Sequence, residues 1–222
     1  MAENVIAIDG PAASGKSTIA GLLADRLGIP YINTGNMYRA VTYYAIQQGI
    51  GLSDCSEETL SPVLKQIKLD YVKAASGQYE IMLNGEFPGA KIRTPEIASL
   101  VSPVAALPNV RAWLIDKQRE FARLGRIVME GRDIGTVIFP GAQYKFFLTA
   151  SPEERARRRL AQDGESPDGA TVESVAKAIA ERDLLDSTRK TAPLKKAADA
   201  ILIDTGGMSI EQVIEQILRY IK

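Results

Sequence analysis

Apolar residues are distributed along the chain in two kinds of pattern. Short, largely apolar runs rich in β-branched residues occur at Val5-Ile6-Ala7-Ile8, Ile127-Val128-Met129, Lys145-Phe146-Phe147-Leu148 and Ala200-Ile201-Leu202-Ile203. Longer stretches with helical spacing separate them, the first running from Lys16 to Leu27. This alternation predicts an α/β fold with a parallel sheet covered by helices on both faces. A second strand is read at Tyr31-Ile32. Helix starts are marked at Ser151-Pro152-Glu153-Glu154, at Thr171 and at Ser209-Ile210-Glu211-Gln212, the last a capping-box pattern that opens a C-terminal helix. Between about Ile67 and Pro88 the pattern changes to two short strands, Leu69 to Lys73 and Tyr79 to Leu83, with turn signals at Ser76-Gly77 and Asn84-Gly85. A small antiparallel insert is expected there. The polar, breaker-rich stretch from Gly164 to Gly169 predicts a mobile loop between two charged helices.

Composition narrows the chemistry. The 222 residues are enough for one sizeable core, and 27 basic against 27 acidic residues give no sign of a nucleic-acid or membrane partner. Met1-Ala2-Glu3-Asn4 has no basic region and the apolar run behind it breaks at Asp9, so neither a signal peptide nor a spanning helix is expected, and a cytoplasmic location follows. The single cysteine, Cys55, has no internal disulfide partner, and the chain contains no histidine. That absence removes the usual Cys/His zinc sites, histidine-based nucleophilic triads and the commonest general base. Any chemistry must run on carboxylates, arginines, lysines, backbone amides and a bound metal.

Gly10-Pro11-Ala12-Ala13-Ser14-Gly15-Lys16-Ser17 matches G-x-x-x-x-G-K-[ST], and it lies between the strand and the helix that the motif needs. The glycines let backbone N–H groups wrap a phosphate while the following helix presents its positive end. Lys16 is expected at the β- and γ-phosphates of ATP, and the Ser17 hydroxyl on Mg²⁺. The motif alone fits a switch, a motor or a kinase. No N-K-x-D sequence for guanine occurs, and Asp204-Thr205-Gly206-Gly207 is too short a match to D-x-x-G to count by itself.

The arginines discriminate better. Arg39 follows Asn33-Thr34-Gly35-Asn36-Met37-Tyr38 just past the second strand, and Glu130-Gly131-Arg132-Asp133-Ile134-Gly135-Thr136 follows the strand at Ile127. Both fall near the edge of the sheet where ligands bind in open α/β folds. Arg155, Arg158 and Arg159 share a helix face, with Arg157 beside them, and such a cluster repels itself without an anion nearby. Arg182, Asp186 and Arg189 form a second stripe. Two arginine-rich helices joined by a flexible loop predict a lid that closes on phosphates.

Taken together, Ile8 to Thr18, Thr34 to Arg39, Ile92-Arg93-Thr94, Glu130 to Thr136, and Asp186-Ser187-Thr188-Arg189 with Ala192-Pro193-Leu194 closely resemble bacterial cytidylate kinases. The resemblance implies a P-loop NTPase fold in one domain over 1–222, with a nucleoside-monophosphate-binding insert at about 62–105 and a lid at about 152–190. It implies ATP-dependent phosphorylation of CMP and dCMP by a monomer that uses Mg²⁺. Position by position, Ser102, Arg111 and Asp133 match residues that read cytosine, and Thr34, Arg182, Asp186 and Arg189 match positions around the ribose. Arg39 and Arg132 match contacts to the acceptor phosphate. Gly10, Pro11, Ala12, Ala13, Ser14, Gly15, Lys16, Ser17 and Thr18, with Arg155 and Arg159, are expected to bind ATP; Lys16, Arg39, Arg132 and Arg158 are the expected catalytic set. Asn33 and Glu130 depart from the family, which usually has Asp at the first position and frequently at the second. The alternatives are a kinase for another small acceptor, such as UMP or shikimate, and a non-catalytic nucleotide-binding switch.

Overall fold

The computed structural model describes residues 4–162, 166, 167 and 169–221. The expected mobility of Gly164 to Gly169 and the reading of Met1 to Glu3 fall wholly or partly outside those residues. In chain order, β1 (Val5–Asp9) leads through the glycine loop into α1 (Lys16–Leu27), followed by β2 (Tyr31–Asn33) and α2 (Thr34–Gln47). Next come α3 (Glu57–Leu64), the hairpin β3 (Leu69–Lys73) and β4 (Tyr79–Leu83), α4 (Pro95–Ala106) and α5 (Pro108–Glu120). The chain then forms β5 (Ile127–Gly131), β6 (Tyr144–Thr149), α6 (Pro152–Leu160), α7 (Val172–Thr188), β7 (Ile201–Asp204) and α8 (Ile210–Leu218).

The main sheet has the order β2-β5-β1-β6-β7, and every neighbouring pair is parallel. Its central strands are buried on both faces, which explains their continuous apolar runs. Val5 and Ala7 of β1 pack with Ile127, Met129 and residues of α2, α4 and α5, whereas Ile6 and Ile8 pack with Val128, Phe146 and residues of α1 and α8. The helix starts read from sequence are capped as expected: Ser151 accepts from the Glu154 N–H, and Thr171 and Ser209 each form a reciprocal box three residues on. Strands β5 and β7 run further than their apolar cores, taking in Glu130, Gly131 and Asp204.

Register brings the functional segments together. Asp9 pairs with Gly131 and Asn33 with Glu130, so the glycine loop, the start of α2 and the turn after β5 leave three adjacent strands at one edge of the sheet. The two-stranded hairpin is antiparallel as expected, and its Tyr71 hydroxyl donates to the Asn33 carbonyl at 2.5 Å, pinning it beside that edge. Among the described residues, no single helix is long and apolar enough to cross a membrane.

Candidate active site

The glycine loop owes its shape to backbone that other residues cannot adopt. Gly10 has φ +153°, and a Cβ there would stand 2.1 Å from the Leu148 carbonyl oxygen. Gly15 caps α1 at φ +87° with no side chain bonded to the first turn, leaving those amides open to an anion at the positive end of the helix. Lys16 is buried and its Nζ donates to the Pro11 carbonyl (2.6 Å) and to Ser14 Oγ (3.3 Å). Burial, and after it the charge of Arg132, pushes Lys16 down to about 7. A nearby polyphosphate would restore its charge.

Beside Lys16, Asn33 Nδ2 lies 3.5 Å from Ser17 Oγ and 3.0 Å from the Tyr31 hydroxyl, which in turn donates to Glu130 at 2.7 Å. Among the described residues, no cluster of three or more acidic or Cys/His side chains could hold a metal unaided. A lone hydroxyl with a buried carboxylate behind it suits Mg²⁺, which is commonly held by few protein ligands and completes its shell with phosphate oxygens and water.

The turn after β5 is built from beneath. Asp9 accepts the N–H groups of Ile134 and Gly135, both at 2.8 Å, and burial pushes its carboxyl up to about 7 against those two donors. Gly131 is needed because a Cβ would meet Thr34 Oγ1 at 2.6 Å, and that hydroxyl donates to the Glu130 carbonyl. Past this close approach, Arg132 pairs with Asp186 of α7 and Asp133 with Arg111 of α5.

Charge dominates the far end of the cleft. Arg111, on α5, is 1% exposed, pairs with Asp133, donates to the Ala105 carbonyl and places its guanidinium 5.6 Å from the centre of the Tyr38 ring. Arg189 lies 3.7 Å from Asp133 and 3.6 Å from Asp186, and Arg132 Nε donates to Asp186 at 3.0 Å. Burial would raise the Asp186 carboxyl, but Arg132, Arg182 and Arg189 together hold it below its usual value. Burial, then the charge of Arg132, lowers Arg182 to about 9. Arg39 donates to the Ile92 carbonyl. Among the described residues, Ser102 Oγ, Arg111 Nε, Arg182 Nε and Arg189 Nη2 are buried without a hydrogen-bond partner. Orphaned polar atoms cost stability unless a ligand satisfies them, and here they line one cleft.

That cleft runs from Ala13, Ser14, Gly15, Lys16, Ser17 and Thr18 to Thr34, Arg39, Ser102, Arg111, Arg132, Asp133, Arg182, Asp186 and Arg189. The structure therefore assembles all nine expected acceptor-side residues with the phosphate loop. Gly10, Pro11 and Ala12, also expected to bind ATP, do not line it.

The α6 arginines do not form the shared anion-facing stripe expected from their spacing. Arg155 is buried against Asp183 (2.5 Å) and the Ala12 carbonyl, and Arg158 is held by Glu154 one turn earlier and by Thr205, to Oγ1 at 2.8 Å and to the carbonyl at 2.9 Å. Of the three, Arg159 alone lines the cleft. The physical reason is neighbourhood: carboxylates and carbonyls from α6, α7 and the end of β7 reach two of the arginines. The sequence reading missed Asp9, Tyr38 and Asp183. Asp183 precedes Asp186 by three positions and could have been noticed as part of the same helix stripe.

The family model for cytidylate kinase matches residues 6–222. Proteins named cytidylate kinase from Geobacillus sp. (strain WCH70) and Thermotoga maritima are each 47% identical, over 100% and 98% of this chain and 98% and 96% of theirs. An uncharacterized protein from Eubacterium ventriosum shares the fold at a TM-score of 0.54 and 15% identity, over 99% of this chain and 98% of its own. With a phosphate loop, an arginine-lined acceptor cleft and full-length relatives in agreement, the chain belongs to the cytidylate kinase family.

Proposed function

We propose that the chain transfers the γ-phosphoryl group of ATP to the phosphate of CMP or dCMP, giving ADP and CDP or dCDP. The observation that carries this reading is the continuous cleft in which the phosphate loop faces the buried Arg111–Asp133 pair. Cytosine offers an exocyclic amine donor beside ring acceptors, which a carboxylate and an arginine complement; uracil would turn a carbonyl towards the carboxylate. Ser102 completes the base site. Thr34, Arg182, Asp186 and Arg189 hold the ribose, and Arg39 and Arg132 clamp the acceptor phosphate.

The attacking phosphate oxygen is already anionic near neutral pH, so the reaction needs no general base, in keeping with the absence of histidine. The protein's task is to bring two polyanions into line and to neutralise charge on the transferring group. Lys16 and the open α1 amides act on the donor, Arg39 and Arg132 on the acceptor, and Arg159 reaches the cleft from α6. Mg²⁺ held at Ser17 would supply further charge neutralisation. The segment at about 152–190 acts as a lid that closes on the phosphates, separate from the insert at about 62–105, and Arg155 and Arg158 brace it against the ATP side. A cytoplasmic monomer without nucleic-acid or membrane partners completes the reading.

Initial rates with CMP, dCMP, UMP and shikimate at fixed Mg-ATP test it. Turnover should be fastest with CMP or dCMP, and ATP consumption should depend on the acceptor. A higher kcat/KM for UMP or shikimate, or nucleotide binding without acceptor-dependent ADP release, would overturn it.

A further inference from the structure

Ala12, buried in the phosphate loop, is gripped from two helices at once. Its N–H donates to Asp183 Oδ1 of α7 at 3.2 Å, and its carbonyl accepts from Arg155 Nη1 of α6 at 3.2 Å. The two gripping side chains also pair with each other, at 2.5 Å. Apolar contacts reinforce the triangle, since Ala12 is buried in one cluster with Ala156 of α6 and Val175 and Ile179 of α7. The next residue, Ala13, has φ +57°, a left-handed conformation that costs a side-chain-bearing residue about 1 kcal/mol or more and persists where surroundings enforce it. The grip on Ala12 is the adjacent restraint. The loop's shape, and so the aim of its phosphate-binding amides, depends on where α7 lies.

The same helix holds the acceptor side. Arg182 adjoins Asp183 in sequence, and Asp186, one turn on, accepts from Arg132; all three of Arg132, Arg182 and Asp186 line the cleft. A helix moves as a rigid element, so filling the acceptor end biases the position of α7 and with it the loop at the donor end. We propose that Asp183 is a positioning residue that couples the two substrate sites, carrying the state of the acceptor site through α7 to Ala12 of the phosphate loop. This inference rests on the proposed kinase function, because it needs CMP and ATP as the two occupants.

The test is the dissociation constant of the non-hydrolysable β,γ-imido analogue of ATP, with Mg²⁺, measured with and without saturating CMP. In the wild type CMP should tighten the analogue at least about fivefold, and CMP and analogue should show the same factor reciprocally. In Asp183→Ala that ratio should fall towards one, whereas Asp183→Asn, whose amide oxygen still accepts from the Ala12 N–H, should keep an intermediate ratio. Asp183→Ala leaves Arg155 buried without its partner. The double variant Arg155→Met/Asp183→Leu therefore replaces the pair by apolar groups of similar volume, an exchange that is commonly neutral for stability, and should also give a ratio near one. Binding of CMP alone within about threefold of wild type would report that α7 is intact, as expected for sites lacking a direct Asp183 contact. A wild-type ratio of one, or an unchanged ratio in both uncoupled variants, overturns the coupling and leaves the kinase reading standing. Failure of the wild type to bind CMP at all overturns the kinase reading and this inference with it.

Discussion

The two ends of the cleft bind phosphate-bearing ligands by different means. The donor end is one contiguous segment whose main resource is backbone: open amides at the start of α1, left-handed turns at Ala13 and Gly15, and a single lysine. The acceptor end is made of side-chain charge from α2, α5, the turn after β5 and α7, with the Ser102 hydroxyl from α4 and with Arg111, Arg132, Arg182 and Arg189 balanced by Asp133 and Asp186. A backbone cradle recognises any phosphate chain, because its open N–H groups are alike whatever side chains they carry. A lattice of side chains can be specific, because each donor and acceptor has a fixed place. On the proposed function, common chemistry at one end and choosiness at the other would follow from that division.

The largest expected effect breaks the donor end. Lys16→Ala removes the one side-chain charge inside the loop, where a low-dielectric setting makes it most effective, and should lower kcat by roughly three orders of magnitude while the protein stays folded. Steady-state rates beside a circular-dichroism melt check this. Near-normal turnover in a folded variant would mean that the backbone cradle suffices without it.

Next in size is the acceptor end's selectivity. In Asp133→Asn the amide can donate as well as accept, so a uracil carbonyl becomes tolerable. The kcat/KM preference for CMP over UMP should drop by roughly 10- to 100-fold. An unchanged ratio would remove Asp133 from base reading and leave its role as the partner that holds Arg111 in place.

The same division explains what the sequence disclosed. The phosphate loop lies in the eight residues Gly10 to Ser17 with its strand and helix on either side, so residue types at fixed spacing were enough to find it. Strand β1 and helix α1 were equally plain, because burial on both faces leaves an unbroken apolar run and α1 starts at the motif itself. At the acceptor end, Ser102, Arg111 and Asp133 come from distant parts of the chain, and resemblance to a family located them where periodicity could not. Asp9 shows the remaining gap. It reads as the polar end of a strand, yet it organises the turn that carries Asp133, through two N–H bonds to residues 125 and 126 positions away. The α6 arginines show another, since spacing placed them on a shared face but not against Asp183 and Thr205.

A smaller effect sharpens the comparison through pH. In the free protein Lys16 is pushed down to about 7, whereas the bound polyphosphate favours the charged ammonium and raises it again. Binding therefore takes up a proton above about pH 7, and affinity for Mg-ATP should weaken as pH rises, by at most about tenfold per unit until the raised value of the complex is passed. Titration calorimetry between pH 7.5 and 9, in buffers of different ionisation enthalpy, measures the uptake directly, and Lys16→Ala should abolish it. Folding stability should show the opposite slope. The unfolded lysine keeps its proton up to the ordinary value of 10.5 while the folded one loses it near 7, so this residue's penalty on the ligand-free fold shrinks as pH rises between the two.

The smallest expected effect isolates one hydrogen bond at the acceptor end. Ser102 Oγ is buried in the cleft with no partner among the described residues, so the folded state already bears the cost of its desolvation. Ser102→Ala removes that cost, and the melting temperature should stay level or rise slightly. CMP binding, by contrast, loses a neutral hydrogen bond of about 0.5–1.5 kcal/mol, so KM for CMP should rise roughly two- to tenfold with kcat little changed. The split between the two readings is what matters. A structural serine would lower stability and leave KM alone, whereas a serine waiting for the base does the reverse. An unchanged KM would place the orphaned hydroxyl outside the acceptor contacts and narrow base reading to Arg111 and Asp133.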